Sequence, residues 1–234
     1  MRQRRLNHCW LLWNEQLRPD IQPHHFDSQQ LQQQGASATS GGRGGSLFAT
    51  VEGQEWVVRH YRRGGLIGKL NADLYLFTGL ARSRVYREFK LLEQMLALGL
   101  PVPTPVAGRL CRHGLLARAD LITLRVAAAN DLVAHLQQRP LSAEQWQRLG
   151  QLLARFHRHG IYHADLNLRN ILLDSHDQFY LIDFDRGQQR PPATSWQQAN
   201  LQRLLRSCHK EQAKDPRLQF SDHDWQQLLS GYGS

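Results

Sequence analysis

The stretch Ile161–Gly187 reads IYHADLNLRNILLDSHDQFYLIDFDRG. It opens with the run HADLNLRN at positions 163–170 and ends with DFD at positions 183–185. Between these polar segments lie two short apolar runs, which are joined by the polar turn DSHD. Apolar runs on either side of such a turn predict a β-hairpin. The hairpin would bring its two polar ends to one side, where their side chains could act together.

The polar residues of this stretch match the motif pattern of protein kinases, H-R-D-L-x-x-x-N followed one hairpin later by D-F-G. His163, Asp165 and Asn170 fall at the spacing of the first motif, and Asp183 falls at the aspartate of the second. In phosphoryl transfer, one carboxylate orients the attacking hydroxyl, while an amide oxygen and a second carboxylate hold the Mg²⁺ on the ATP phosphates. The pattern therefore indicates Asp165 as the catalytic base and His163 as a support of its loop. Asn170 and Asp183 are the expected Mg²⁺ ligands. The alternative is an ordinary hairpin with incidental acids.

Length and charge narrow the function classes. The chain has 234 residues, of which 41% are hydrophobic, so it can bury a core and extensive disorder is not expected. Its formal net charge of +9 favours partners that carry phosphate. Nucleotides, nucleic acid, an anionic membrane surface and a phosphorylated substrate all fit that description.

The cysteines and the N-terminus suggest a compartment. Cys9, Cys111 and Cys208 stand far apart and form no C-x-x-C pattern, which predicts reduced thiols in a cytosolic setting. The apolar run Cys9–Trp13 is too short for a signal peptide, and no stretch approaches the length of a transmembrane helix. We expect a soluble or peripheral protein. The run itself would be a packed strand or, alternatively, a basic interfacial anchor.

The region before residue 62 supplies the expected nucleotide-binding elements. Residues 40–51 read SGGRGGSLFATV, and Gly42 and Gly44 are candidates for a loop whose backbone N–H groups cover the ATP phosphates. The run is not a full G-x-G-x-x-G, and a Gly/Ser linker is the alternative. A strand follows at Trp56–Tyr61, where Arg59 occupies the position of the phosphate-binding lysine of V-A-I-K. Arginine keeps the charge there but is longer and forked.

An amphipathic helix is predicted at residues 83–98, because apolar residues recur at helical spacing between Ser83 and Gly99. A kinase needs a glutamate on this helix to orient the phosphate-binding cation. Glu88 is the first choice and Glu93 the second. The arginines and lysine of residues 62–87 could grip an anionic acceptor, or they could be a solvated face.

The rest of the sequence predicts a small, mostly helical C-lobe. A capping box at Ser142 and Gln145 begins a long helix that runs to about residue 159. Further helices are expected at 131–137, 196–208 and 222–230. Histidines 157, 159 and 163 lack a fourth ligand at suitable spacing, so a zinc site is not expected there. We predict one α+β, bilobal, protein-kinase-like domain with an N-terminal segment (1–34), a β-rich N-lobe (35–122) and a C-lobe (123–234).

The acceptor is predicted to be a small hydroxyl compound rather than a peptide. Asn167 stands where Ser/Thr protein kinases usually carry a lysine, and no A-P-E motif follows Asp183. Both features suit kinases of the aminoglycoside or choline type.

Six short runs point to a narrower group: GRG at 42–44, VRHYRRGG at 58–65, REF at 87–89, GLPVP at 99–103, HADLN at 163–167 and IDFDRG at 182–187. With these runs the chain, from about Phe26 to Gly187, resembles the 3-deoxy-D-manno-octulosonic acid (Kdo) kinases of Gram-negative bacteria. The heptose kinases of the lipopolysaccharide core are their nearest relatives. The resemblance implies ATP-dependent phosphorylation of the 4-hydroxyl of Kdo on a lipid A precursor, at the cytoplasmic face of the inner membrane. It also implies that Asp165 is the catalytic aspartate and that the anionic membrane surface is a peripheral partner.

Two other functions remain open from the sequence. One is another sugar or antibiotic kinase of the same fold, such as a heptose or aminoglycoside kinase. The other is a pseudokinase or a basic nucleic-acid-binding module. The retained Asp165, Asn170 and Asp183 argue against a pseudokinase. Nucleic acid is not an expected partner, because no zinc-finger, RRM or KH signature is present.

Overall fold

The structure is a computed structural model that describes residues 1–38, 46–61 and 74–233. The chain divides into two compact units. Unit 1 comprises Met1–Gln94 and Pro103–Arg125, and unit 2 comprises Met95–Val102 and Val126–Ser234. None of the helices in the described ranges is long and apolar enough to cross a membrane.

Unit 1 is built on an antiparallel sheet of eight described strands. They are β1 (Arg2–Leu6), β2 (Cys9–Trp13), β3 (Ser37–Ala38), β4 (Leu47–Val51), β5 (Gln54–His60), β6 (Tyr75–Leu76), β7 (Pro105–His113) and β8 (Leu116–Leu124). The order is β1-β2-β7-β8-β5-β4-β3, and β6 pairs with β8. Buried residues recur at every second position in β4 and β5, whereas β7 and β8 bury runs of four consecutive residues, as expected of central strands that are covered on both faces.

Two layers cover this sheet. On one face, Trp13, Trp56 and Ile122 belong to a buried cluster that also includes Leu31 of the short helix α1 (Ser28–Gln33). The helix α2 (Arg84–Ala97) buries Val85 and Phe89 completely. A Cβ added at Gly108 would come within 2.7 Å of the Val85 side chain, so α2 lies directly against β7.

The N-terminal run Cys9–Trp13 forms the predicted strand, but the prediction for its cysteine is wrong. Cys9 lies opposite Cys111 in the β2–β7 register, and a disulfide joins the two residues. They are 102 residues apart in sequence, so only the strand pairing brings them together. Cys208 is a free, buried thiol, and burial raises its pKa to about 12. The cysteines therefore give no argument for a reducing compartment.

Unit 2 is mainly helical, with short strands between the helices. The helices are α3 (Leu132–Gln138), α4 (Ala143–Arg158), α5 (Thr194–Lys214) and α6 (Asp222–Gly233). The strands are β9 (Asn130–Asp131), β10 (Ile161–Tyr162), β11 (Ile171–Leu173), β12 (Phe179–Leu181) and β13 (Gln188–Gln189). A three-stranded sheet has the order β12-β11-β9, and β10 pairs with β13.

The long helix α4 anchors the core of unit 2. Its predicted capping box is confirmed, since Ser142 and Gln145 bond to each other's backbone N–H groups. Trp146 and Phe156 of this helix are completely or almost completely buried. A Cβ on Gly150 would lie 2.0 Å from the carbonyl oxygen of Leu228, so only glycine lets α4 and α6 pack this closely. The packing of α4 thus fixes the position at which the chain enters β10 and the segment that follows it.

The predicted α+β, kinase-like fold class is confirmed: one unit is β-rich with a single long helix, and the other is mostly helical. The helices expected at 83–98, 131–137, 142–159, 196–208 and 222–230 all form, with α5 extending six residues further than expected, to Lys214.

Candidate active site

A hairpin holds the two polar motifs of unit 2 together, as the sequence predicts. Strands β11 and β12 pair antiparallel, with Ile171 opposite Leu181. Beyond the last strand pair, the N–H of Ile182 donates to the carbonyl of Asn170 at 3.0 Å. The backbones at Asn170 and Asp183 are therefore neighbours across the open end of the hairpin.

His163 is a buried, neutral support of this segment. Its side chain is enclosed beside the ring of Phe184, 4.6 Å away between centroids. The N–H of Asp165 donates to Nδ1 at 3.1 Å, so Nε2 carries the proton and donates it to the carbonyl of Ile182 at 2.9 Å. Burial lowers the pKa of His163 and keeps the ring neutral. One imidazole thus ties both motifs to each other through their backbones.

Asp165 presents an accessible carboxylate on a fixed backbone. Its side chain is 67% exposed, and one carboxylate oxygen lies 3.4 Å from Nη1 of Arg203. The carbonyl of the same residue accepts hydrogen bonds from the side-chain amides of Asn167 at 2.8 Å and Asn170 at 2.9 Å. The backbone is held from both sides while the carboxylate can still reach a substrate.

The two asparagines of the motif have distinct structural roles. Oδ1 of Asn167 accepts from the N–H groups of Arg169 and Asn170, which caps the single turn at Leu168–Asn170. Asn170 commits its Nδ2 to the Asp165 carbonyl, and this orients its Oδ1 as a remaining acceptor. In the sequence, Asn167 is notable only because it replaces the lysine of Ser/Thr protein kinases. The structure shows that it is a structural residue of the loop.

Asp183 adopts a backbone conformation that is unusual for its residue type. Its φ is +61°, in the left-handed region that non-glycine residues seldom occupy. Such conformations cost free energy and are concentrated at functional sites. The next residue, Phe184, is buried and stacks on Phe156 with ring centroids 6.0 Å apart. Packing of Phe184 in the core thus fixes Asp183, whose own side chain is exposed.

Polar residues on one face of helix α5 bind the segment from His163 to Arg169. The sequence did not predict this contact. Asn200 is buried and bonds to both the N–H and the carbonyl of His163, at 3.2 and 3.0 Å. One and two turns further along the helix, Arg203 contacts Asp165, and Ser207 accepts from the N–H of Leu168. Another turn on, Glu211 pairs with the guanidinium of Arg169 at 2.8 Å. These four polar residues recur at spacings of three and four, and that periodicity was a readable signal in the sequence.

In unit 1, the predicted partner of Arg59 is found. Nη2 of Arg59 lies 2.5 Å from Oε1 of Glu88, and the hydroxyl of Tyr61 donates to Oε2 at 2.6 Å. Glu88 is only 3% exposed. Glu93, the second choice, instead pairs with the N-terminal amino group and with Lys90.

The predicted phosphate-covering residues Gly42 and Gly44 lie outside the described residues, as do Arg62, Arg63 and Lys69 of the basic segment.

His157 of helix α4 has a structural role. His157 bonds through Nδ1 to the hydroxyl of Tyr232 at 2.8 Å and packs edge-on against Trp196. Burial lowers the pKa of His157 to about 4. Across the described ranges, the group of histidine, cysteine and acidic residues that could hold a metal ion is His8, Cys9 and Cys111 instead.

Together, the β-rich unit with its Arg59–Glu88 pair and the helical unit with its His163–Asn170 and Asp183 motifs define a kinase of the protein-kinase-like class. The sequence profile described as "Lipopolysaccharide kinase (Kdo/WaaP) family" matches residues 28–232. The chain belongs to this family, and it is a phosphotransferase that acts on a hydroxyl group.

Individual relatives agree with the family. The chain is 43% identical over 212 residues to a 3-deoxy-D-manno-octulosonic acid kinase of Vibrio vulnificus, covering 89% of this chain and 88% of the relative. It is 42% identical over 234 residues to the enzyme of that name from Mannheimia succiniciproducens, covering 97% and 96%. The enzyme of that name from Xylella fastidiosa is 44% identical over 172 residues, or 74% and 69% of the two chains.

Proposed function

We propose that this chain transfers the γ-phosphate of ATP to the 4-hydroxyl of a Kdo residue on a Kdo-lipid A precursor, a step of lipopolysaccharide core biosynthesis. The observation that carries the proposal is the accessible Asp165 carboxylate. The backbone carbonyl of Asp165 accepts two hydrogen bonds, and the residue lies next to Asn170 and Asp183. The relatives named as Kdo kinases support the choice of sugar.

In the proposed mechanism, Asp165 accepts a hydrogen bond from the acceptor hydroxyl and takes its proton as the oxygen–phosphorus bond forms. The bond between the γ-phosphorus and the bridging oxygen breaks, and ADP leaves with that oxygen. His163 is a positioning residue, since it holds the backbones of Asp165 and Ile182 but stays neutral and buried. Positioning and charge neutralisation supply most of the rate enhancement.

The donor set suits Mg²⁺. The Asp183 carboxylate and the Oδ1 of Asn170, whose Nδ2 is committed to the Asp165 carbonyl, are hard oxygen ligands of the kind that Mg²⁺ prefers. Their backbones are adjacent across the hairpin end. When bound, the ion would neutralise charge on the ATP phosphates.

Arg59 is proposed to bind the ATP phosphates, with Glu88 fixing its direction. The guanidinium also lies 4.9 Å from the Tyr61 ring, which limits its rotamers further. Gly42 and Gly44 are proposed to cover the phosphates through backbone N–H groups. Near the acceptor, Arg203 places a cation beside Asp165, which suits a sugar that carries a carboxylate.

A substrate panel with γ-labelled ATP tests the proposal. Purified protein is incubated with Kdo-lipid A precursor, a heptose-bearing core acceptor, an aminoglycoside and choline. We expect label in the Kdo-bearing acceptor alone, incorporated at least about 100-fold more slowly by the Asp165→Ala variant. Label in the heptose acceptor or the aminoglycoside would assign the chain to another branch of the fold. Salt-sensitive DNA binding without ATP turnover would favour a nucleic-acid-binding module.

We also propose that the protein docks peripherally on the cytoplasmic side of the anionic inner membrane, through one end of the unit 1 sheet. Leu76 and Leu115 are 62% and 75% exposed there, although such large apolar side chains are usually buried. Phe77 is bonded to the Leu115 carbonyl through its N–H and stacks on Trp10. Guanidinium groups of Arg5 and Arg112 lie 5.0 Å above these two rings. An apolar patch rimmed by arginines matches the chemistry of anionic lipid headgroups.

Vesicle flotation tests this docking without ATP or acceptor. We expect binding to phosphatidylglycerol-containing vesicles, little binding to neutral phosphatidylcholine, and loss of binding in the Leu76→Ser/Leu115→Ser double variant. Leu98→Ser, which changes another exposed leucine in unit 2, is the control. Equal flotation of the double variant and the control would remove this surface from the proposal.

A further inference from the structure

Two cysteines and two histidines collect at one end of the β2–β7 pair. His8 immediately precedes β2, and its carbonyl accepts from the N–H of Arg112, which fixes it beside β7. Cys9 lies directly opposite Cys111. His113 follows two residues later on β7, so it shares a face with Cys111. The imidazole rings of His8 and His113 are 5.4 Å apart.

The side chains are close enough to share one ion. One ligand atom from each of His8, Cys9 and Cys111 lies within 4.8 Å of the other two. A tetrahedral Zn²⁺ site has Zn–S distances of about 2.3 Å and Zn–N distances of about 2.0–2.1 Å, which puts its ligand atoms roughly 3.3–3.8 Å apart. Small side-chain rotations would therefore complete the first three ligands, and His113 stands next to His8 for the fourth.

The candidate ligands are also available. His8 and His113 are exposed, and Cys9 and Cys111 are half-buried, so an ion or a reductant can reach them. Within residues 1–38, 46–61 and 74–233, neither imidazole bonds to protein through its ring nitrogens. Nearby Arg112 and Arg118 would oppose a bare cation, but two thiolates cancel the charge of Zn²⁺. The loaded site adds no net charge to this arginine-rich end.

We propose that His8, Cys9, Cys111 and His113 form a redox-gated zinc site, in which the disulfide is the metal-free state. A dithiol reductant of the thioredoxin class supplies two electrons and two protons, the S–S bond breaks, and the reductant becomes a disulfide itself. Zn²⁺ then displaces the two thiol protons, because thiolates are its ligands. In the reverse step a disulfide oxidant accepts two electrons and is reduced to a dithiol, the two thiolates join in the S–S bond, and the ion is released.

Either state clamps the β1–β2 hairpin to β7. Reduction without metal removes the clamp and leaves only the strand pairing and packing. The proposal therefore orders the thermal stability of unit 1: the disulfide and zinc forms unfold at higher temperature than the reduced, zinc-free form.

The test is a titration of the full chain, without an affinity tag, in its reduced and oxidised forms. We expect the reduced protein to bind one equivalent of Zn²⁺ and the oxidised protein none. Co²⁺ used as a probe should give a thiolate-to-cobalt charge-transfer band. His8→Ala and Cys111→Ser should each weaken Zn²⁺ binding at least about tenfold, as even lesser changes around metal sites do. His176→Ala, an exposed histidine of unit 2, is the matched control and should bind as the wild type does.

A second measurement needs no variant to fold. In the reduced wild type, Zn²⁺ should slow alkylation of Cys9 and Cys111 by iodoacetamide, as read by peptide mass spectrometry. The proposed site would be overturned if the reduced protein bound Zn²⁺ no more tightly than the Cys9→Ser/Cys111→Ser variant. It would also be overturned if Zn²⁺ did not change the alkylation rate of the two thiols. Either result leaves the kinase proposal standing, since none of these residues belongs to its machinery.

Discussion

Glu88 and Asp165 are both acids of kinase-type motifs, yet their surroundings are opposite. Glu88 is almost completely buried, and Arg59 and Tyr61 occupy both of its carboxylate oxygens. Asp165 has its backbone held by His163, Asn167 and Asn170, while its carboxylate is two-thirds exposed.

This difference separates an acid that positions from an acid that reacts. A carboxylate with both oxygens bonded can orient a cation but has no place for an incoming proton. A carboxylate on a fixed backbone can bind a substrate with little further loss of conformational entropy. Variants that exchange or remove these constraints should therefore act on different observables.

The largest effect is expected from Asp183→Asn. The variant keeps the size of the side chain but removes its charge, and ion stabilisation of phosphoryl transfer is worth several kcal/mol, or about 10³-fold in rate. We expect turnover to fall by about that factor and the Mg²⁺ concentration at half-maximal rate to rise. Steady-state rates over a Mg²⁺ series check this. Unchanged Mg²⁺ dependence would contradict the assignment.

Asp165→Ala should lose at least ~10²-fold in turnover, the usual effect of removing a general base. ATP affinity should be retained, because the residue is proposed to touch the acceptor only. Pre-steady-state turnover and nucleotide titration measure the two quantities separately. Arg203→Gln is the comparison variant, since it removes the neighbour of Asp165 but leaves the base in place.

Arg59→Met probes the positioning pair. It leaves the buried Glu88 with one partner fewer, so we expect the free energy of unfolding to drop by about 3 kcal/mol. The KM for ATP should rise while the catalytic step on bound ATP changes less. Urea unfolding and kinetics at varied ATP measure both effects. Arg125→Met, which breaks an exposed pair with Glu55, is a control and should change stability by less than about 1 kcal/mol.

The smallest effect concerns pH. Burial lowers the pKa of His157 to about 4, so above pH 6.5 the imidazole is neutral in both folded and unfolded chains. As the pH falls below 6.5, only the unfolded chain takes up the proton, and stability is lost down to about pH 4. Between pH 7 and pH 5 the loss should be about 2 kcal/mol from this group. His157→Gln should flatten the urea-unfolding profile over that range, whereas His176→Gln should leave it unchanged.

The sequence predicted the parts of the fold that are local. The Ile161–Gly187 hairpin, helix α2 and the capping box at Ser142 follow from periodicity and neighbouring residue types, so their signals lie within a few turns of chain. The position of Glu88 on the predicted helix indicates its pairing with a cation, and in the structure that cation is Arg59.

Long-range contacts were harder to predict. The Cys9–Cys111 disulfide depends on the β2–β7 register, which no spacing reveals. The α5 face from Asn200 to Glu211 carried a readable three-and-four period, but its target lies some 40 residues away in sequence. The sequence pattern shows only that Asn167 replaces the lysine of Ser/Thr protein kinases, whereas its capping role depends on the geometry of the loop.

The most direct test of the central claim is mass spectrometry of the lipopolysaccharide core from cells that lack the gene. The strain is complemented with the wild type or with Asp165→Ala at equal protein levels. We predict one additional phosphate on the Kdo of most core molecules with the wild type and on only a small fraction of them with the variant. A core phosphorylated to the same extent with Asp165→Ala, or lacking the phosphate with the wild type, would contradict the account.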